Sequence, residues 1–130
     1  MKRGQATALL IVAFIAIASA GCGGGKKAAT PTEAFKLFYE ATKNKDMAAL
    51  KSLIAKENLA AMETEARNRK KSLDEYLIEG SRAVPEAMPQ LGEEKIDGDK
   101  ATLQFKREGA ANWSTASFIK EDGGWKVNFK

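Results

Sequence analysis

Few side chains in this sequence could do chemistry. There is one cysteine, Cys22, and no histidine. Without histidine the chain lacks the usual general base near neutral pH and the commonest metal ligand. The free carboxylates that draw attention are Asp97, Asp99 and Asp122. All three fall in segments that read as turns, where an Asp side chain ordinarily bonds its own backbone. Tyr39 and Tyr76 sit in amphipathic patterns, where a tyrosine usually forms the edge of a core, although either could project into a cavity. Glu86, beside Pro85, has no partner visible in the sequence. No phosphate loop or dinucleotide fingerprint appears, so no cofactor and no metal site are expected. The reading is of a protein that is not an enzyme.

The context of Cys22 is more informative. Lys2 and Arg3 form a short positive start, and Ala8 to Ala18 is an uninterrupted run of eleven apolar residues. At about 1.5 Å per residue such a helix spans roughly 16 Å, half a bilayer core. That suits the apolar region of a signal peptide better than a permanent span. Ser19, Ala20 and Gly21 then lead into Cys22. The arrangement resembles the bacterial lipoprotein signal, in which the cysteine is acylated and becomes the mature N-terminus. Ser19 departs from the apolar residue usual at its position. Two other readings compete: a free cysteine behind an ordinary signal peptide, and an uncleaved anchoring helix. The resemblance implies a lipid-anchored protein of the cell envelope, facing the periplasm or the exterior. It also implies that the sulfur of Cys22 is spent on lipid and does no catalysis. One acyl chain holds a protein to a membrane only marginally; cysteines of this family carry more than one.

Residues 1–21 then form the signal peptide, residues 22–30 the lipidated cysteine with a flexible tether, and residues 31–130 a single α+β domain. Without the signal, basic residues fall from 21 to 19 against 17 acidic, and the net charge from +4 to +2. So near-balanced a charge gives no reason to expect nucleic acid as a partner. About 100 residues make one domain with one modest core. No internal repeat is present.

The elements follow from periodicity and punctuation. Thr30-Pro31-Thr32-Glu33 starts a helix: Thr30 caps it, Pro31 takes the first position and Glu33 completes a capping box. Ala34, Phe35, Leu37, Phe38 and Ala41 give its apolar stripe, and it stops near Asn44. Asp46 caps a second, short helix whose inner face is Met47, Leu50, Leu53 and Ile54. Residues 57–71 predict a third helix with a narrow stripe of Leu59, Met62 and Ala66. Ser72-Leu73-Asp74-Glu75 is another capping box, and the helix it starts runs into the breakers Gly80, Pro85 and Pro89. Beyond Leu91 the period shortens to that of strands. A short strand over 93–96 leads to Asp97-Gly98, a hairpin signal. Ala101, Leu103 and Phe105 form the buried face of the next strand. Residues 113–120 form a third, in which the adjacent Phe118 and Ile119 leave the inward face open. After Glu121-Asp122-Gly123-Gly124, a last strand turns Trp125, Val127 and Phe129 inward.

Helices first, then antiparallel hairpins, resemble the small bacterial lipoproteins with the nuclear transport factor 2-like (cystatin-like) fold. The resemblance rests on residues 31–39, on Lys45-Asp46, on Ile96 to Leu103 and on Lys120 to Val127. It implies N-terminal helices packed on a curved antiparallel sheet of about four strands, a cone with a pocket at its open end. It fixes no activity, because that fold hosts enzymes, binders and scaffolds. The aromatics able to line such a concavity are Phe35, Phe38, Tyr39, Phe105, Trp113 and Trp125, and the plainer reading is that each fills the core. The expected function is a non-catalytic binding or interaction module tethered to a membrane, its partner an apolar small molecule or an envelope protein. The alternative is a hydrolase- or isomerase-like enzyme, which needs a buried carboxylate of raised pKa. A homodimer through the outer sheet face is also open, although Thr102, Gln104, Lys126 and Asn128 make that face polar.

Overall fold

The computed structural model describes residues 27–130. The leader, Cys22 and the glycines after it lie outside the described residues. Four helices precede a four-stranded sheet: α1 (Pro31–Asn44), α2 (Met47–Ser52), α3 (Lys56–Asn68), α4 (Leu73–Ser81), β1 (Gln90–Asp97), β2 (Lys100–Lys106), β3 (Ser114–Glu121) and β4 (Gly124–Val127). The strands run in chain order β1-β2-β3-β4 and every pair is antiparallel. The protein is therefore α+β, with its helices gathered on one face of a meander. No described helix is long and apolar enough to cross a membrane.

The helix ends follow local chemistry. The Thr30 hydroxyl accepts the Glu33 amide at 3.1 Å, and the chain turns into the left-handed region at Lys45 (φ 54°) to end α1. The predicted box at this start does not close on Thr30. The Glu33 carboxylate reaches one residue further back and takes the Ala29 amide at 2.8 Å. The box at α4 is reciprocal: Ser72 accepts from the Glu75 amide, and Glu75 accepts from the Ser72 amide. That Ser72 amide is the main reason the Glu75 pKa falls below the usual carboxylate range. Gly80, read as a breaker, lies inside α4, where nothing within 4 Å would meet a Cβ. A single glycine costs a helix only about 1 kcal/mol, so neighbouring packing outweighs it.

The register settles the face left open in β3. Ala101 pairs with Phe118 and Leu103 with Ala116, so Phe118 points inward and Ile119 outward. Phe118 and Leu103 are each 1% exposed, at the centre of a core completed by Ala28, Ala34, Trp125 and Val127. A second cluster, Ala41, Leu50, Leu53, Ile54 and Leu77, lies among the helices, with Leu37 and Phe38 touching both. Thus α1 is the plate shared by the two. β1 is longer than predicted because it carries a bulge: Gly92 and Glu93 together oppose the single position between Leu103 and Phe105. β3 and β4 meet in a two-residue turn with Asp122 (φ 52°) and Gly123 (φ 76°) both left-handed, the geometry that matches strand twist.

Residues 27–30 also differ from the tether reading. Ala28 is 1% exposed and bridges Trp125, whose amide donates to its carbonyl at 3.0 Å. The strip runs edge to edge with β4 and close against it: a Cβ on Gly124 would stand 3.2 Å from Lys27 Cβ. The folded unit therefore begins no later than Ala28. Emptying the sheet core should be costly: Phe118→Ala is expected to lower the unfolding free energy by about 3–5 kcal/mol, read from urea denaturation midpoints.

Candidate functional site

The two core clusters do not meet everywhere. α1 lies directly on the sheet, whereas α3 and α4 pack on each other and α4 reaches α1 and α2; neither makes a comparable contact with the sheet. The cause is the narrow stripe of α3. Among the described residues of α3 only Ala66 is buried, and an apolar stripe that narrow covers one neighbour, not two. Between the α3–α4 hairpin and the sheet lies a cleft of about 810 Å3, open to solvent.

Its apolar lining comes from every layer. α1 contributes Phe35, Phe38 and Tyr39; the turn after α2 contributes Ile54; α3 and α4 contribute Met62 and Leu77; the sheet side contributes Phe105, Val127 and Phe129. Two aromatic pairs bridge helix and sheet. Phe35 and Phe105 have ring centroids 5.3 Å apart at 40°, and Phe38 and Phe129 are 5.9 Å apart at 57°. Both are tilted contacts of the favourable kind.

Tyr39 is anchored. Its hydroxyl lies 2.6 Å from both the Pro85 and the Glu86 carbonyl oxygens. A phenol has one proton to give, so it acts here as a donor to the backbone of the α4–β1 linker. That role commits the phenol proton to the backbone. The same linker is held by Lys43, whose ammonium meets the Glu86 carboxylate at 2.6 Å. Glu86, which showed no partner in the sequence, thus has one from α1. The hydrogen bond from Lys43, then its charge, holds the Glu86 pKa below the ordinary value.

The cleft stays open at one end because the chain leaves the sheet there. Asn128 still donates to the Ser117 carbonyl at 2.9 Å. One residue later the Asn58 side chain on α3 takes the Phe129 backbone, donating to its carbonyl at 2.6 Å and accepting its amide at 3.0 Å. This two-point grip replaces the next rung of the ladder. β3 therefore extends past its partner, since β4 pairs only with Phe118 to Glu121. Alternate β3 residues direct their backbone to either side. Ser114, Ala116 and Phe118 serve β2, so Thr115 and Ser117 serve the open edge. Three backbone groups there, the Thr115 amide and carbonyl and the Ser117 amide, have no hydrogen-bond partner among the described residues. Thr115 and Ser117 both line the cleft.

Three cationic side chains border it, Arg69, Arg107 and Lys130, against one carboxylate, Glu79. Arg69 is committed: it pairs with Glu65 at 2.7 Å and lies 5.6 Å over the Tyr76 ring. Glu79 is bonded by Lys71, the chief cause of its lowered pKa. Arg107 makes no ion pair among the described residues.

Of the six aromatics expected to line a concavity, Phe35, Phe38, Tyr39 and Phe105 do so. Trp125 does not: it is 4% exposed and fills the sheet core under Ala28. Nor does Trp113. It precedes β3 with outward parity, is 44% exposed, and lies on the opposite face of the sheet against Gly92, where a Cβ would come within 2.8 Å of its ring. Phe129, assigned to the core from strand alternation, is 45% exposed and lines the cleft, because the strand ends at Val127. Nothing local in the sequence marks Asn58 as the residue that captures it.

The site holds no acid–base pair among the described residues. No Asp or Glu among them is buried. Those whose pKa moves, Glu75, Glu79, Glu86 and Asp122, all move down, each through a hydrogen bond that favours the charged form. For Asp122 the donor is Lys56 on α3. None of these residues is therefore the buried carboxylate that the hydrolase- or isomerase-like alternative calls for. No group of three or more His, Cys, Asp or Glu among them stands ready to hold a metal. Comparison with protein-family models, with curated proteins and with solved structures finds no match.

Breaking the grip has a readable consequence. In Asn58→Ala the chain after Asn128 is expected to continue along β3, pairing Lys130 with Thr115. The Thr115 amide should then exchange its hydrogen more slowly than in the wild type, measured by NMR. Equal exchange would mean that Asn58 does not keep the edge free.

Proposed function

We propose that this protein is a lipid-anchored envelope lipoprotein whose domain is a non-catalytic binding module, holding an apolar small molecule between its helical hairpin and its sheet. The observation that carries the binding half is the cleft: about 810 Å3, walled by apolar side chains from helices and sheet. Its volume falls in the range of roughly 300–1,000 Å3 typical of small-molecule sites, and its exposed lining is mostly apolar, as is usual there. Helices followed by a meander, with the opening between them, support assignment to the nuclear transport factor 2-like group.

The anchoring half is supported by the leader and by the five residues Gly23 to Lys27 between Cys22 and the buried Ala28. Six peptide steps reach at most about 20 Å. A lipid on Cys22 would therefore hold the folded unit close against the membrane, with the Ala28–Trp125 edge nearest to it.

Two measurements test the halves separately. The purified full chain is expected to bind Nile red with a blue-shifted emission, and Met62→Trp, which fills the cleft from α3, is expected to abolish that shift while leaving the circular dichroism intact. An unchanged shift in the variant would overturn the cleft as the binding site. For the anchor, Cys22→Ser should end incorporation of labelled palmitate and release the protein from the membrane fraction. Undiminished labelling would show that another residue carries the lipid.

A further inference from the structure

We propose that the cleft selects a single-chain anionic amphiphile, a fatty acid, with its carboxylate at the Arg107 end. This rests on the reading of the cleft as an apolar small-molecule site and adds the charge of the occupant. The aromatic floor accounts for the hydrocarbon. The border accounts for the charge: the one carboxylate on it, Glu79, is bonded by Lys71, and Arg69 is engaged by Glu65 and Tyr76, which leaves Arg107 and Lys130 without an ion pair among the described residues. An open cationic side chain beside an apolar wall favours a ligand with one negative end.

The unpaired edge of β3 completes the head-group site. It presents two donors, the Thr115 and Ser117 amides, against one acceptor, the Thr115 carbonyl, because the Ser117 carbonyl already takes Asn128. The register places Arg107 two residues beyond Phe105, which pairs with Ser114, so the guanidinium and the free Thr115 amide belong to the same end of the sheet. A carboxylate uses such donors, and a guanidinium binds it through two parallel hydrogen bonds. The strip is too short for an added peptide strand, since only Thr115 and Ser117 face it.

Calorimetric titration of the purified full chain with dodecanoate, n-dodecanol and dodecyltrimethylammonium, all below micelle formation, tests this. Dodecanoate should bind roughly tenfold more tightly than dodecanol, the gain expected of a charge-assisted contact. That preference should disappear in Arg107→Gln, persist in Arg107→Lys and shrink as salt screens the pair. Dodecanol should bind the wild type and Arg107→Gln alike. Equal affinity for dodecanoate and dodecanol would overturn the charge selection and leave the apolar site standing. Tightest binding of the cation, or an unchanged preference in Arg107→Gln, would also overturn the proposal. Binding of none of the three would remove both this proposal and the cleft reading beneath it.

Discussion

The outer edge of β4 is the constraint to which the rest of the structure answers. β4 is only four residues long, and its far side would present unpaired backbone groups beside the core. Buried backbone donors and acceptors must be satisfied. Here irregular chain satisfies them. The Trp125 amide donates to Ala28; the Val127 amide donates to Leu53 at 2.7 Å; the Val127 carbonyl accepts from Ala55 at 2.9 Å. The segment before α1 and the turn between α2 and α3 are thereby fixed to the same strand. The helices owe their position relative to the sheet to those rungs as much as to the apolar contacts of α1.

These rungs also set the shape of the cleft. The turn after α2 is pinned to Val127, so α3 must start at the β4 edge, where Lys56 bonds Glu121 and Asp122 from the opposite hairpin. α3 then rises away from the sheet with α4 packed on it. Its few apolar residues are used on its partner, and the space beneath stays unfilled. The grip of Asn58 on Phe129 is the last tie between the two layers. It diverts the chain at the point where a longer β4 would have covered Thr115. The opening is thus held by side-chain hydrogen bonds, each worth about 1 kcal/mol, and not by missing sequence.

Much of this architecture is legible in the residues themselves. Thr30, Asp46 and Ser72 mark three helix starts because capping is local chemistry, a side-chain oxygen and an amide two or three residues on. The alternation of Ala101, Leu103 and Phe105 marks a half-buried strand because side-chain direction has a period of two. What escapes such reading is decided by distant partners. Ile119 and Phe118 are equally apolar, and only pairing with Ala101 sends Phe118 inward. Trp113 and Phe105 are equally aromatic, but one residue of phase puts Trp113 on the far face. Phe129 continues the inward alternation of Trp125 and Val127, and it leaves the sheet because of a residue 71 positions earlier. The cleft lies in the same category. It is set by how wide a stripe α3 offers, which hydrophobicity alone does not separate from a fully packed helix.

β1, at the other end of the sheet, solves its edge problem in the opposite way. Among the described residues no strand pairs with its outer side. It carries the Gly92–Glu93 bulge, and Glu93, Glu94 and Lys95 stand in immediate succession. Thr32 at the start of α1 fastens Glu94 through its amide and hydroxyl, both at 2.9 Å, so an anion stays fixed beside the open ladder. A kinked border studded with charge is a poor template for another copy's strand. Molecules gathered densely on a surface would meet one another repeatedly at such borders, and this one gives them no means of stitching together into a continuous sheet.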